Sequence, residues 1–227
     1  MKKYIKSKQA SSFRRWGLFI HKTPVVIKDS CEEKDRVEKV VFLAKSKIPP
    51  HLMDGVEGVF FGKFAFFEED GILSRCLEKK IYIHIDENTK TADVLVDLIH
   101  EVAHANEKKY MFYLDDAALK DEFVRKRKVI FEKLAQYHPQ IKQFKYNDIN
   151  YNNELDRILY YEIGLQRTAH FTRGLLVSPY SILSFWEYIA EGLESYLLED
   201  RDFLHDKCPV LYTKLKDISG DRVRRTT

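Results

Sequence analysis

The amino-acid sequence predicts an α+β fold, with a small mixed sheet in the N-terminal half and a mainly helical C-terminal half. Three observations predict it. Two short stretches early in the chain alternate apolar and polar residues, the period of a strand. The longer apolar patterns repeat at three and four residues, the period of a helix. Hydrophobic residues make up 44% of the 227, with 15 Phe, 13 Tyr and 2 Trp, enough to bury a core. The length fits a single domain over 1–227.

The elements follow in order. Residues 1–28 carry eight Lys or Arg and no acidic residue, which reads as a basic, solvated arm. "KDRVEKVVFLAKSKIPPHL" (34–52) is a helix stopped by Pro49-Pro50, because a residue before proline avoids helical dihedrals. "GVEGVFFGKFAFFEEDG" (55–71) alternates around Gly62 as a strand or hairpin, and "KKIYIHIDE" (79–87) alternates as a strand. Asn88, Thr89 and Thr91 are helix-start residues. After them Val94, Leu95, Leu98, Ile99 and Val102 form an apolar stripe. Two further helices are expected at about 116–137 and 153–173, a helical insertion joined internally by the loop "YHPQIKQFKYNDINYNN". The run "RKRK" (125–128) is a solvated face of the first. "ILSFWEYIAEGLESYLLE" (182–199) is an amphipathic helix with Trp186, Ile189, Ala190, Leu193 and Leu197 on its buried side. The tail 218–227 is expected to be flexible.

Composition removes several function classes. A net charge of +3 makes no argument for nucleic acid, and no apolar run is long enough to span a bilayer. The N-terminal "MKKYIKSKQASSFRRW" interrupts itself with charge, unlike a secretory signal. Cys31, Cys76 and Cys208 are scattered, with no CxxC pair, which favours a reducing, intracellular compartment over a disulfide framework.

The chemistry concentrates in "HEVAH", His100-Glu101-Val102-Ala103-His104. On a helix, residues four apart differ by about 40° in direction and about 6 Å along the axis. His100 and His104 therefore project from one face, where two imidazoles can grip one cation. Glu101 is turned about 100° from His100, where a general base for a metal-activated water would stand. A catalytic zinc site needs a third protein ligand. The metzincin pattern is excluded, since Glu107 and Tyr110 occupy the positions where it needs glycine and histidine. Downstream, Glu187 and Glu191 lie four apart on the helix 182–199, forming an acidic stripe with Glu194. A first carboxylate can bind zinc while a second accepts the free N–H of a ligand histidine. Against this, Ser184 and Glu187 also make an S-x-x-E capping box.

"HEVAH" followed by Tyr180, Glu187-Tyr188, Ala190 and Glu191 resembles the zinc peptidases of the anthrax lethal factor type, including the clostridial Pro-Pro endopeptidases. In that family an HExxH helix is followed by a helix of the form E-[aromatic]-x-A-E, with a tyrosine seven residues before the ligand glutamate. The resemblance covers about 80–104 and 178–199, more vaguely 35–75. It implies a zincin-like fold, its sheet packed on the HExxH helix, and Zn2+ as cofactor. His100, His104 and Glu187 would be the metal ligands and Glu101 the general base. Tyr180 would steady the oxyanion, and Glu191 would stand behind the ligands. The 82 residues between His104 and Glu187 depart from the compact members, so proline-directed specificity does not carry over.

The function expected is a zinc endopeptidase acting on a peptide or protein, compatible with delivery into another cell. A strand near 58–67 or 80–86 would pair with the substrate by edge addition. His170 is either a proton donor at the site or an ordinary helix histidine. The competing readings are an inactive zincin-like domain that binds a protein partner, and a basic nucleic-acid module using 1–28 and 125–128. A retained Glu101 argues against the first of these.

Overall fold

The computed structural model describes residues 13–14, 17–28, 33–64, 67, 72–198 and 201–220. Cys31 and most of both termini, including the 221–227 part of the expected flexible tail, lie outside them. The chain is of mixed α and β structure and divides into two compact units, Met1–Lys108 and Lys109–Thr227.

The first unit holds β1 (Phe13–Arg14), β2 (Phe19–Ile20), β3 (Thr23–Lys28), α1 (Lys34–Lys47), β4 (Gly58–Gly62), β5 (Ser74–Leu77) and β6 (Lys80–His84). It also holds most of α2 (Thr91–Leu114). The sheet runs β1-β3-β4-β6-β5, with β2 also on β3. Pairs β3–β4 and β4–β6 are parallel, while β1 and β2 on β3 and β5 on β6 are antiparallel. Parallel neighbours need a crossover, and α1 supplies it between β3 and β4. The expected basic arm is therefore sheet over 19–28. Its cations Lys22 and Lys28 merely flank an apolar run whose Val25, Val26 and Ile27 are buried.

Two strand expectations change. The stretch 55–71 gives the strand β4, and 79–87 gives β6, but both are interior to the sheet. Neither can accept a peptide at its edge. The outer strand on that side is β5, which the sequence does not announce: its four residues, Ser-Arg-Cys-Leu, include no fully buried one. It turns into β6 through Glu78 and Lys79, at φ 47° and 65°. Positive φ at both central residues is what a tight hairpin requires, here without the glycine or asparagine that usually signals it.

The second unit holds α3 (Ala117–Tyr137), α4 (Asn153–Arg157), a π-helical turn (Ile158–Gly164) and α5 (Leu165–Thr172). It continues with α6 (Phe185–Leu198), α7 (Arg201–Lys207) and α8 (Pro209–Ser219). The single helix expected at 153–173 is broken because Gly164 takes φ 86°, a left-handed conformation that cannot continue an α-helix. Asp116 caps α3, its carboxylate accepting from Leu119 N at 3.1 Å. Helix α6 is buried on nearly all sides, with Tyr188 and Ala190 at 0% exposure, whereas Trp186, expected inside, is half-buried. Tyr188 stacks on Phe123 of α3 at 5.3 Å. At Gly192 a Cβ would come within 2.6 Å of Leu211 Cδ2, so the missing side chain lets α6 and α8 approach. Among the described residues, no helix is long and apolar enough to cross a membrane.

Candidate metal centre

In the first unit, α2 carries the histidine pair. Its apolar stripe holds it in place: Val94, Leu98, Ile99 and Val102 are each at 0% exposure. Asn106 adds a polar clamp, its side-chain amide donating to Leu52 O at 2.7 Å and Val102 O at 2.8 Å. With that face fixed, His100 and His104 turn their Nε2 atoms to within 3.0 Å of each other. Two nitrogens bound at about 2.05 Å to one tetrahedral zinc would stand about 3.3 Å apart. The pair therefore has the spacing of two ligands on one ion, and little adjustment is needed to receive it. His104 Nδ1 lies 2.5 Å from Glu107 Oε1. A proton held there leaves the Nε2 lone pair for a cation.

Glu101 is 5% exposed. Ser74, on β5, donates its hydroxyl to Glu101 Oε1 at 2.7 Å. Two residues along the same strand, Cys76 has its thiol pushed up to about 11, first by burial and then by the Glu101 charge. Ser74 and Cys76 thus share the face of β5 that senses Glu101. An alternating strand puts them there.

The second unit carries the remaining candidates. Ser184 stands just before α6 and accepts from Glu187 N at 3.1 Å, the first half of the capping box. Glu187 follows in the first turn of α6 and is 8% exposed, while Glu191, one turn later, is half-buried. A carboxylate in a first turn is favoured by the helix dipole. Tyr180 begins a 3-10 turn, Tyr180–Ile182, held by Ser178 Oγ, which accepts from Tyr180 N at 3.1 Å and Ser181 N at 3.2 Å. Burial, then Glu187, raise the Tyr180 phenol well above its ordinary range, so it is a neutral hydrogen-bond donor at any ordinary pH. Its hydroxyl bonds to Tyr151, whose own hydroxyl donates to Asp156.

The structure thus brings together His100, Glu101 and His104 in one unit, and Tyr180 and Glu187 in the other. Three neighbours escaped the sequence reading. Glu107, three residues past His104, takes the histidine Nδ1 contact, a role the sequence offered to Glu191. A carboxylate at i+3 of a candidate ligand histidine was the signal. Ser74 and Tyr151 gave none, since each meets its partner only through the fold. His170 is an exposed helix residue beside Phe171, lining a shallow cavity with Tyr137, His138 and Arg167.

No protein-family model, no curated protein and no solved structure matches this chain.

Proposed function

We propose that the protein is a zinc-dependent endopeptidase of zincin-like fold, hydrolysing a peptide or protein. One observation carries the reading: His100 and His104 Nε2 lie 3.0 Å apart on one rigid helix, beside a buried glutamate at the next position. The donor types support it too. With Glu187 as the third ligand beside His100 and His104, two imidazoles and a carboxylate would hold the ion, a set that suits zinc. The same resemblance to lethal factor-type peptidases that the motifs suggest assigns these roles.

Zinc at these residues would polarise the scissile carbonyl and lower the pKa of the attacking water. Glu101 takes the proton from that water. Ser74 occupies Oε1 of Glu101, so the other carboxylate oxygen is the one that receives it. Glu107 fixes His104 in the tautomer whose Nε2 can bind. The Tyr180 phenol, kept neutral by burial, donates its proton to Tyr151 in this structure and would turn it to the carbonyl oxygen as negative charge develops there. The extended substrate pairs with β5, the outer strand on its side, which places a peptide next to the residue that holds the base.

Metal analysis by mass spectrometry tests the centre. Wild type retains close to one zinc per chain and the His104→Ala variant loses it. Peptide-library cleavage by wild type and Glu101→Gln tests the reaction. A wild type that holds zinc yet cleaves no peptide would leave a zinc-binding interaction module; one that holds no zinc would end both readings.

A further inference from the structure

We propose that the cavity at Arg127 is a binding site for a small oxyanion, a carboxylate or a phosphate. Arg127 lies on α3 with 2% exposure, its guanidinium 5.6 Å from the Phe123 ring centroid and 4.9 Å from that of Phe131. The backbone takes only part of its capacity: Nη1 donates to Asp148 O, and Nη2 to Leu183 O at 3.3 Å. Its Nε is buried with no partner among the described residues. The acidic charge that acts on it is that of Asp148 on the cavity wall, which supports the guanidinium without a direct ion pair among the described residues.

Burial lowers the Arg127 pKa only to about 10, so the charge persists at neutral pH. The same arginine lines a cavity of about 250 Å³ together with Gln143, Lys145, Asp148, Asn150 and Asn152. That size admits a small ligand rather than a nucleotide. Lys145 adds a second cation at the exposed rim, while the Gln143 and Asn150 amides already donate to Glu154 and Asp148 at 3.5 and 3.2 Å. The one acid in the lining, Asp148, turns its carboxylate to Asn150, accepting from N and Nδ2 at 3.2 Å each. A buried guanidinium with a spare donor and a lysine at the rim form an anion site by chemistry.

The position gives the site a consequence. The cavity wall 143–152 also supplies Ile149 O, which accepts from Phe185 N at 2.9 Å at the start of α6, and Tyr151, which bonds Tyr180. An anion seated against Arg127 stiffens the segment that holds both. This does not depend on the peptidase reading.

Thermal unfolding in sodium phosphate and in sodium acetate, at ionic strength matched with chloride, tests it. The expected result is a saturable rise in the unfolding midpoint with one of the two anions, which also tells phosphate from carboxylate. Lys145→Glu, an exposed change that leaves the fold intact, weakens that anion at least about tenfold. The shift persists in His104→Ala, which separates this cavity from the metal centre. A midpoint that follows chloride alone, or a saturable shift unchanged in Lys145→Glu or lost in His104→Ala, overturns the proposal and leaves Arg127 a structural clamp.

Discussion

Helices α2 and α6 carry the two halves of the candidate chemistry, and they are built differently. On α2 the buried face is a stripe with Glu101 at its margin, and the half-buried His100 and His104 project beside it within five consecutive positions. Their supports, Glu107 and Ser74, act through single contacts of 2.5 and 2.7 Å. Helix α6 has no such spare face. Glu187 sits among Phe185, Tyr188, Ile189 and Ala190, all buried, and its helix is fixed by other segments of the second unit. Tyr188 donates to Glu122 at 2.7 Å, Arg127 holds Leu183 O, and Ile149 O holds Phe185 N. Ligands on an amphipathic helix are positioned by local geometry. Ligands on a core helix are positioned by everything packed around it.

The largest expected effect lies on the local half. Glu101→Gln keeps the shape and removes the base, so peptide cleavage falls by about 10³-fold while zinc content stays at the wild-type level. Cleavage that survives the change would transfer the proton to another group and dissolve the contrast between the helices.

Next comes the scaffold of the core half. Glu122, 5% exposed, accepts from the Tyr188 hydroxyl at 2.7 Å and from Val210 N and Leu211 N at 3.0 and 3.2 Å. Those two N–H groups open α8, where a carboxylate also meets the helix dipole. Glu122→Ala strands two buried donors and one part-buried one and costs about 3 kcal/mol, read by urea unfolding. A loss below about 1 kcal/mol would show that α6 is held by its apolar contacts alone.

The same division explains what could be read in advance. HEVAH, its apolar stripe and the helices near 34–47, 117–137 and 185–198 repeat at fixed spacing, so they show in the sequence. The spacing of Tyr180 and Glu187 shows as well, though nothing in it fixes what they face. β5 stayed hidden because an edge strand of four half-exposed residues has no apolar signature, and its turn lacks glycine. The strands within 1–28 were hidden by the lysines and arginines that punctuate that stretch of sequence. Glu122 and Arg127, the latter in the RKRK run expected to be a solvated face, look like ordinary surface residues of a helix yet are buried. Only tertiary contacts across dozens of residues put them inside.

A smaller effect is expected at Tyr180. Replacing it with Phe keeps the half-buried ring and removes the donor, lowering kcat about 100-fold with little change in KM. Tyr151→Phe removes the acceptor of the Tyr180 proton and leaves that proton free for the carbonyl oxygen, so kcat changes far less than in Tyr180→Phe. A KM rise in place of the kcat loss would make Tyr180 a substrate-binding group.

The smallest effect decides which carboxylate tunes the histidines. Glu107→Gln keeps a hydrogen-bond acceptor for His104 Nδ1 but removes the charge that favours its proton, so zinc affinity falls about tenfold. Glu191→Gln, measured beside it by competition with a chelator, would fall further only if the core helix does the tuning. The structure favours the local residue: Glu107 is anchored on the same helix as His104, three positions on, and needs nothing else to be in place. If that holds, the histidine pair on α2 is tuned before any ligand from α6 takes part. An isolated first unit would then bind zinc weakly, with Glu107→Gln weakening it by the same factor as in the whole chain.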